Sequence, residues 1–189
     1  MLRFIYFFIG LVALASMVVE ARAQNKKFSI TVTTLNAKAN ALSREECIDR
    51  AKSSEISKDL RGAKLNDADL SGAMLISADL SEANLKKAVL HNAFMCRADF
   101  SGANLEGAVM YEADLNSARL VNANLTGADL TAANLCNANL SGANLTKANL
   151  KSANLTGASL RGANLAGAQT NDTVFSGTIM PDGTVRPGS

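Results

Sequence analysis

Residues 133–167 read ANLCN ANLSG ANLTK ANLKS ANLTG ASLRG ANLAG. Alanine and a central leucine return every five residues. Neither regular secondary structure has that period, since a helix repeats near 3.6 residues and a strand near 2. Phased on the central residue, alanine stands two positions before it at Ala63, Ala68, Ala73 and every fifth residue through Ala168. The centre is Leu except at Met95, Phe100, Met110 and Thr170. The residue just before the centre is most often Asp or Asn. A period kept this strictly marks repeat architecture.

The spacing dictates side-chain direction. In an extended segment, residues two apart face the same side. Alanine and leucine therefore both point inward, and the residue between them points out. Three outward residues follow before the next alanine, so the chain must turn there. Glycine takes the last of them at Gly62, Gly72, Gly102, Gly107 and onward to Gly177, where positive φ is expected. Each quintet is thus one short side plus one corner.

The motif A-[D/N]-L-x-x resembles the pentapeptide-repeat family over about residues 58–180. That resemblance implies an all-β fold, a right-handed quadrilateral β-helix with 20 residues per coil and about six coils. A solenoid needs its ends covered. A short N-terminal capping helix is expected at about 44–54, where Ser43-Arg44-Glu45-Glu46 fits a capping box. The stretch FSITVTTL (28–35) alternates as a strand does. The resulting organisation is 1–23 signal peptide, 24–57 linker and N-terminal cap, 58–180 repeat β-helix, and 181–189 a loose tail after the Pro181-Asp182-Gly183 turn.

The start of the chain has the three parts of an export signal. Met1-Leu2-Arg3 is positive, Phe4 to Val19 is uncharged and mostly apolar, and Ala21-Arg22-Ala23 offers small residues for cleavage after Ala23. Localisation is accordingly read as exported: periplasmic or secreted in a bacterium, with the thylakoid lumen open if the source is cyanobacterial. An uncleaved N-terminus would instead hold the protein at a membrane.

Composition excludes several function classes. The net charge of +2 over 189 residues fits neither a nucleic-acid-binding polycation nor an acidic tail. Hydrophobic residues make up 48%, yet aromatics only 5% and Trp none, so the core consists of many small similar pieces. No phosphate loop, Cys-x-x-Cys or metal-spaced His cluster occurs, no catalytic residue is assigned, and no cofactor is expected. Asp59, Asp79 and Asp99 fall in one column and read as a solvated face. Asn84, Asn104, Asn124, Asn144 and Asn164 fall in another and read as a structural ladder. The three cysteines are Cys47, Cys96 and Cys136. Cys96 and Cys136 stand two coils apart, beyond disulfide reach.

The informative irregularity lies in the first three coils. Outward positions there carry Met74, Ile76, Val89, His91, Phe94, Val109 and Tyr111, with Cys96 among them. At 20 residues per coil, Met74, Ile76, Phe94 and Cys96 share one face, and Val89, His91, Val109 and Tyr111 share the adjoining one. Such a patch marks an interaction site, unless residues 24–57 cover it or it simply suits a β surface. Lys86, Lys87 and Arg97 rim it and would orient an acidic partner.

The reading is a non-enzymatic exported scaffold for a protein partner or for self-association, without nucleic acid. The resemblance also offers a DNA-mimicking, gyrase-binding protein, which the export signal and the balanced charge disfavour.

Overall fold

The computed structural model describes residues 21–23, 26–28, 48, 51, 52 and 58–187. The apolar run 4–19, most of FSITVTTL and Cys47 lie outside the described residues. The chain divides into two units, Met1–Ala37 and Lys38–Ser189. In the first, β1 (Ala21–Ala23) pairs antiparallel with β2 (Lys26–Phe28), Ala21 opposite Phe28. The expected cleavage residue Ala23 is the last residue of β1, and of the expected strand 28–35 only Phe28 is described. Among the described residues, no helix is long and apolar enough to cross a membrane.

The second unit is the solenoid. Every bridge between its sides is parallel and joins residue i to i+20, from Asp59 with Asp79 to Ser159 with Ile179. Four quintets thus close one coil, and six coils separate Asp59 from Ile179 in a single column. The alanines and central residues from Leu60 to Leu160 are buried, with Met95, Phe100 and Met110 filling leucine positions without exposure. Each buried leucine contributes about 1.5–3 kcal/mol against exposure. Neighbouring coils share this gain, because each coil packs only on the next.

The backbone amides explain why five residues suffice for a quarter-turn. Within one quintet, Leu65 donates to Asn84 O of the next coil at 2.7 Å, and Asp67 to Lys86 O at 2.9 Å. Ala68 closes the corner by donating to Leu65 O at 3.2 Å, and Asn84 donates back to Ala63 O at 2.9 Å. One amide remains, that of the first corner residue. The Asp or Asn preceding the leucine takes it through Oδ1, as Asp79 accepts from Ser81 N at 3.0 Å and Asn154 from Thr156 N at 3.0 Å. The repeat therefore needs Asp or Asn as an Asx-type cap on its own corner, more than as an outward polar face.

The second corner residue has positive φ throughout, near 54–59° even where it is Lys87, Arg97, Glu112 or Ala132. At Gly157 an added Cβ would also meet Asn137 Oδ1 at 2.5 Å, so that side chain would have to shift as well.

Polar residues at alanine positions mark both ends. Lys58 is 3% exposed and donates through Nζ to Ala51 O at 2.7 Å and also to Met74 O. Thr178 Oγ1 donates to Leu155 O at 2.6 Å, and Thr173 Oγ1 to Leu150 O at 2.7 Å. Of the helix expected at 44–54, Ile48, Ala51 and Lys52 are described, and all three are helical. Ala51 is fully buried, and Ile48 packs on the core. At the other end, the described tail residues 181–187 are held rather than loose. After the 181–183 turn the chain runs back, Val185 bridging antiparallel to Ile179, with the Arg186 guanidinium 5.0 Å from the Phe175 ring centre. Backbone pairing of Arg186 with Gly177 and Thr178 holds this return.

Candidate interaction face

The repeat places outward residues of successive coils one above another, about 4.8 Å apart. Met74 bridges Phe94, and Val89 bridges Val109. The His91 and Tyr111 rings stack with centroids 5.1 Å apart and planes 9° from parallel. Ile76 and Cys96 follow Met74 and Phe94 by two, on the corner beyond that side, and the backbone there is tied through Ser77 N to Cys96 O at 2.9 Å. His91 lies between Val89 and Phe94 in sequence, so the two apolar sides share the His91 corner. Phe94 is 48% exposed, Met74 39% and Tyr111 36%. Ile76, Val89, His91 and Val109 are half-buried.

Most corners of the rod keep a bond that these positions lack; among the described residues the corners after Arg119 and Val174 lack it as well. Met74, Val89, Phe94 and Val109 occupy the Asx-cap position, and none can accept a hydrogen bond through its side chain. Among the described residues no side chain caps the amides of Ile76, His91, Cys96 and Tyr111. Each missing bond forgoes about 0.5–1.5 kcal/mol. The sequence pattern shows the four substitutions, but their cost becomes visible only once the corner bond is known.

Charges beside the face are only partly free. Lys86 on the rim is already paired with Glu106 at 2.9 Å. Lys87 and Arg97 are exposed and make no salt bridge among the described residues. Cys96 Sγ donates to Asp114 Oδ2 at 2.9 Å. Burial first, and the Asp114 carboxylate second, push its thiol up to about 11. Such a thiol is a poor nucleophile at neutral pH. Cys96 and Cys136 are both free.

The other columns are used structurally. Arg61 pairs with Asp79 at 2.5 Å and Arg119 with Asp99 at 3.2 Å, so two carboxylates of the Asp59–Asp79–Asp99 column are paired with arginines. At Asp79, burial alone would raise the carboxyl. Hydrogen bonds from Ser81 and Arg61 outweigh it and hold the group below its ordinary value. The Asn column has one rung, Asn124 Nδ2 to Asn104 Oδ1 at 3.3 Å; its amide oxygens otherwise cap corners. Among the described residues no group of three or more His, Cys, Asp or Glu is placed to hold a metal ion.

The sequence matches the family described as pentapeptide repeats, in 8 copies, over residues 59–92, 97–131 and 123–162. No curated protein matches the chain. Among solved structures, the pentapeptide repeat protein Rfr23 of the cyanobacterium Cyanothece 51142 is 42% identical, over 50% of this chain and 65% of that one, with a TM-score of 0.48. HetL, a pentapeptide repeat protein involved in heterocyst differentiation regulation in the cyanobacterium Nostoc sp. strain PCC 7120, is 29% identical over 69% of this chain and 87% of that one, TM-score 0.34. A trypsin-treated form of QnrB1, a plasmid-mediated fluoroquinolone resistance protein, is 24% identical over 60% and 57%, TM-score 0.50. That last likeness shows the fold alone. The chain spans 65% of the length of Rfr23 and 57% of that of QnrB1.

Proposed function

The chain belongs to the pentapeptide-repeat family, a family of right-handed quadrilateral β-helices, and we propose that it acts as a non-enzymatic exported scaffold. Its face of Met74, Ile76, Val89, His91, Phe94, Val109 and Tyr111 receives a protein partner. The observation that carries this reading is the loss of four neighbouring corner caps in favour of apolar side chains. A rod that gives up hydrogen bonds to leave Phe94 and Met74 half-exposed recovers only part of their burial within its own fold. A partner that covers the face recovers the difference, as exposed apolar patches commonly serve.

Chemistry on this scaffold is not part of the proposal. His91 stacks on Tyr111, and Cys96 is held protonated by burial and Asp114. A DNA-mimicking role would need a continuous acidic face, and the Asp column carries Arg61 beside it and Arg119 in line. Export rests on the three-part start of the sequence, with cleavage after Ala23. Mass of the native N-terminal peptide tests it: a start at Gln24 supports release and a start at Met1 supports membrane attachment.

The contact face is tested by capture from the native compartment with the tagged full chain and with Phe94→Ser combined with Tyr111→Ser. The proposal expects specific proteins to be retained by the first and lost by the second at unchanged circular dichroism. An identical set of captured proteins would overturn it.

A further inference from the structure

Half of one coil carries a symmetrical order of side chains. Lys87 ends one corner, Val89 stands on the next side, His91 begins the following corner, Phe94 stands on the second side, and Arg97 ends the last corner. Bridges join residues 20 apart, so Lys87 and Arg97 are half a coil apart and bracket two adjoining sides. Both cations are exposed and make no salt bridge among the described residues, whereas Arg61, Lys86 and Arg119 each hold a carboxylate. The neighbouring coils extend both sides, Val109 over Val89 and Met74 under Phe94, with Tyr111 stacked on His91 between them. Both sides lack their corner caps, and the amides of His91 and Tyr111 have no acceptor among the described residues.

We propose that this half-coil seats in a two-walled apolar cleft of a different protein, with a carboxylate on each lip, one against Lys87 and the other against Arg97. The inference rests on the reading of the face as a partner site and names the chemistry of that partner. Shape selects the two walls. Four sides close a coil, so the Val89 and Phe94 sides meet at the His91 corner as a projecting ridge. A flat surface, including any side of a second copy, covers one of the two sides and leaves the other wet. Charge selects the lips. The two cations stand at the outer edges of the ridge, where a hydrated rim governs register and approach more than affinity. Glu112 is exposed on the ridge itself, one coil beyond Asn92, so acidic groups belong on the lips and are repelled from the floor of the cleft. The backbone adds one requirement. A lining of hydrocarbon alone would strip water from the amides of His91 and Tyr111 and leave them unpaired, so the cleft also carries acceptors for them, spaced about 4.8 Å as the coils are.

The test is zero-length carbodiimide cross-linking of the full chain with the proteins of its native compartment, read by mass spectrometry. The reagent joins a lysine to a carboxylate held in salt-bridge contact. The proposal expects Lys87 linked to an Asp or Glu of another protein. In Arg97→Lys, the substituted position links to a second carboxylate of that same protein. Both links disappear in Phe94→Ser combined with Tyr111→Ser, and Lys87→Glu combined with Arg97→Glu retains about tenfold less of the partner. Links to two different proteins, links to a second copy of this chain, or links from one or neither position overturn the cleft. So does a partner retained equally by the parent and the charge-reversed chain. A partner retained in full by Phe94→Ser with Tyr111→Ser contradicts instead the reading of the face on which the inference rests, and the absence of any retained protein contradicts both.

Discussion

The Tyr111 ring lies parallel to the His91 imidazole exactly one coil away in sequence, 20 residues on, with ring centres 5.1 Å apart. The same displacement relates Met74 to Phe94 and Val89 to Val109. Three stacked pairs, contributed by residues spread from 74 to 111, thereby become one surface. The surface exists only because the chain turns a quarter every five residues.

Restoring a cap separates stability from recognition. Phe94→Asn gives the Cys96 amide a side-chain acceptor, as Asn134 gives Cys136 at 3.2 Å. The regained bond contributes about 0.5–1.5 kcal/mol, against the loss of a half-exposed ring on Met74. We expect a melting temperature equal to or above that of the parent, together with loss of partner capture. Capture retained by this variant would remove Phe94 from the contact.

The corners predict a second pair of effects. Ala132 holds φ at 55°, which strains a residue with a Cβ by about 1–2 kcal/mol. Ala132→Gly relieves the strain but frees the unfolded chain, so the expected net gain is roughly 0.5 kcal/mol. Gly157→Ala, at φ 69° and against Asn137 Oδ1, is expected to cost about 1–2 kcal/mol. Denaturant unfolding of both variants checks the opposite signs; equal signs would contradict the corner geometry.

Asp79 makes the rod sensitive to acid. Its carboxyl titrates below the ordinary range when folded, so the unfolded chain binds its proton first as pH falls. The stabilisation is complete above about pH 4 and is lost as pH drops through the lower, folded value. Asp79→Asn should therefore flatten the fall in melting temperature between neutral pH and pH 3. A parallel fall in both proteins would show that the Arg61 and Ser81 bonds do not act on this carboxylate.

Much of this was legible in the sequence, because inward positions tolerate few residue types. Ala at 63 through 168 and Leu between them disclose the period, and the column arithmetic then places Met74 under Phe94. What stayed hidden depends on bonds that residue type alone does not specify. Asp and Asn read as outward polar residues, while their Oδ1 atoms serve corner amides. Lys86 reads as a rim charge, while its pairing with Glu106, 20 residues on, does not show. The tail after Pro181 carries no repeat, so its return along Ile179 left no periodic trace.

Burial and Asp114 predict a slow thiol at Cys96. With its thiol near 11, Cys96 should alkylate only slowly at pH 8, and Asp114→Asn should accelerate it. Site-resolved mass spectrometry reads both rates. An unchanged rate at Cys96 in Asp114→Asn would contradict the Cys96–Asp114 contact.

The claim on which the rest stands is that residues 20 apart meet. Through-space NMR contacts in the full chain test it most directly. The account predicts cross-peaks between the His91 and Tyr111 rings and between the Met74 methyl and the Phe94 ring. Absence of both from a folded, fully assigned protein would contradict the coil, and the interaction face with it.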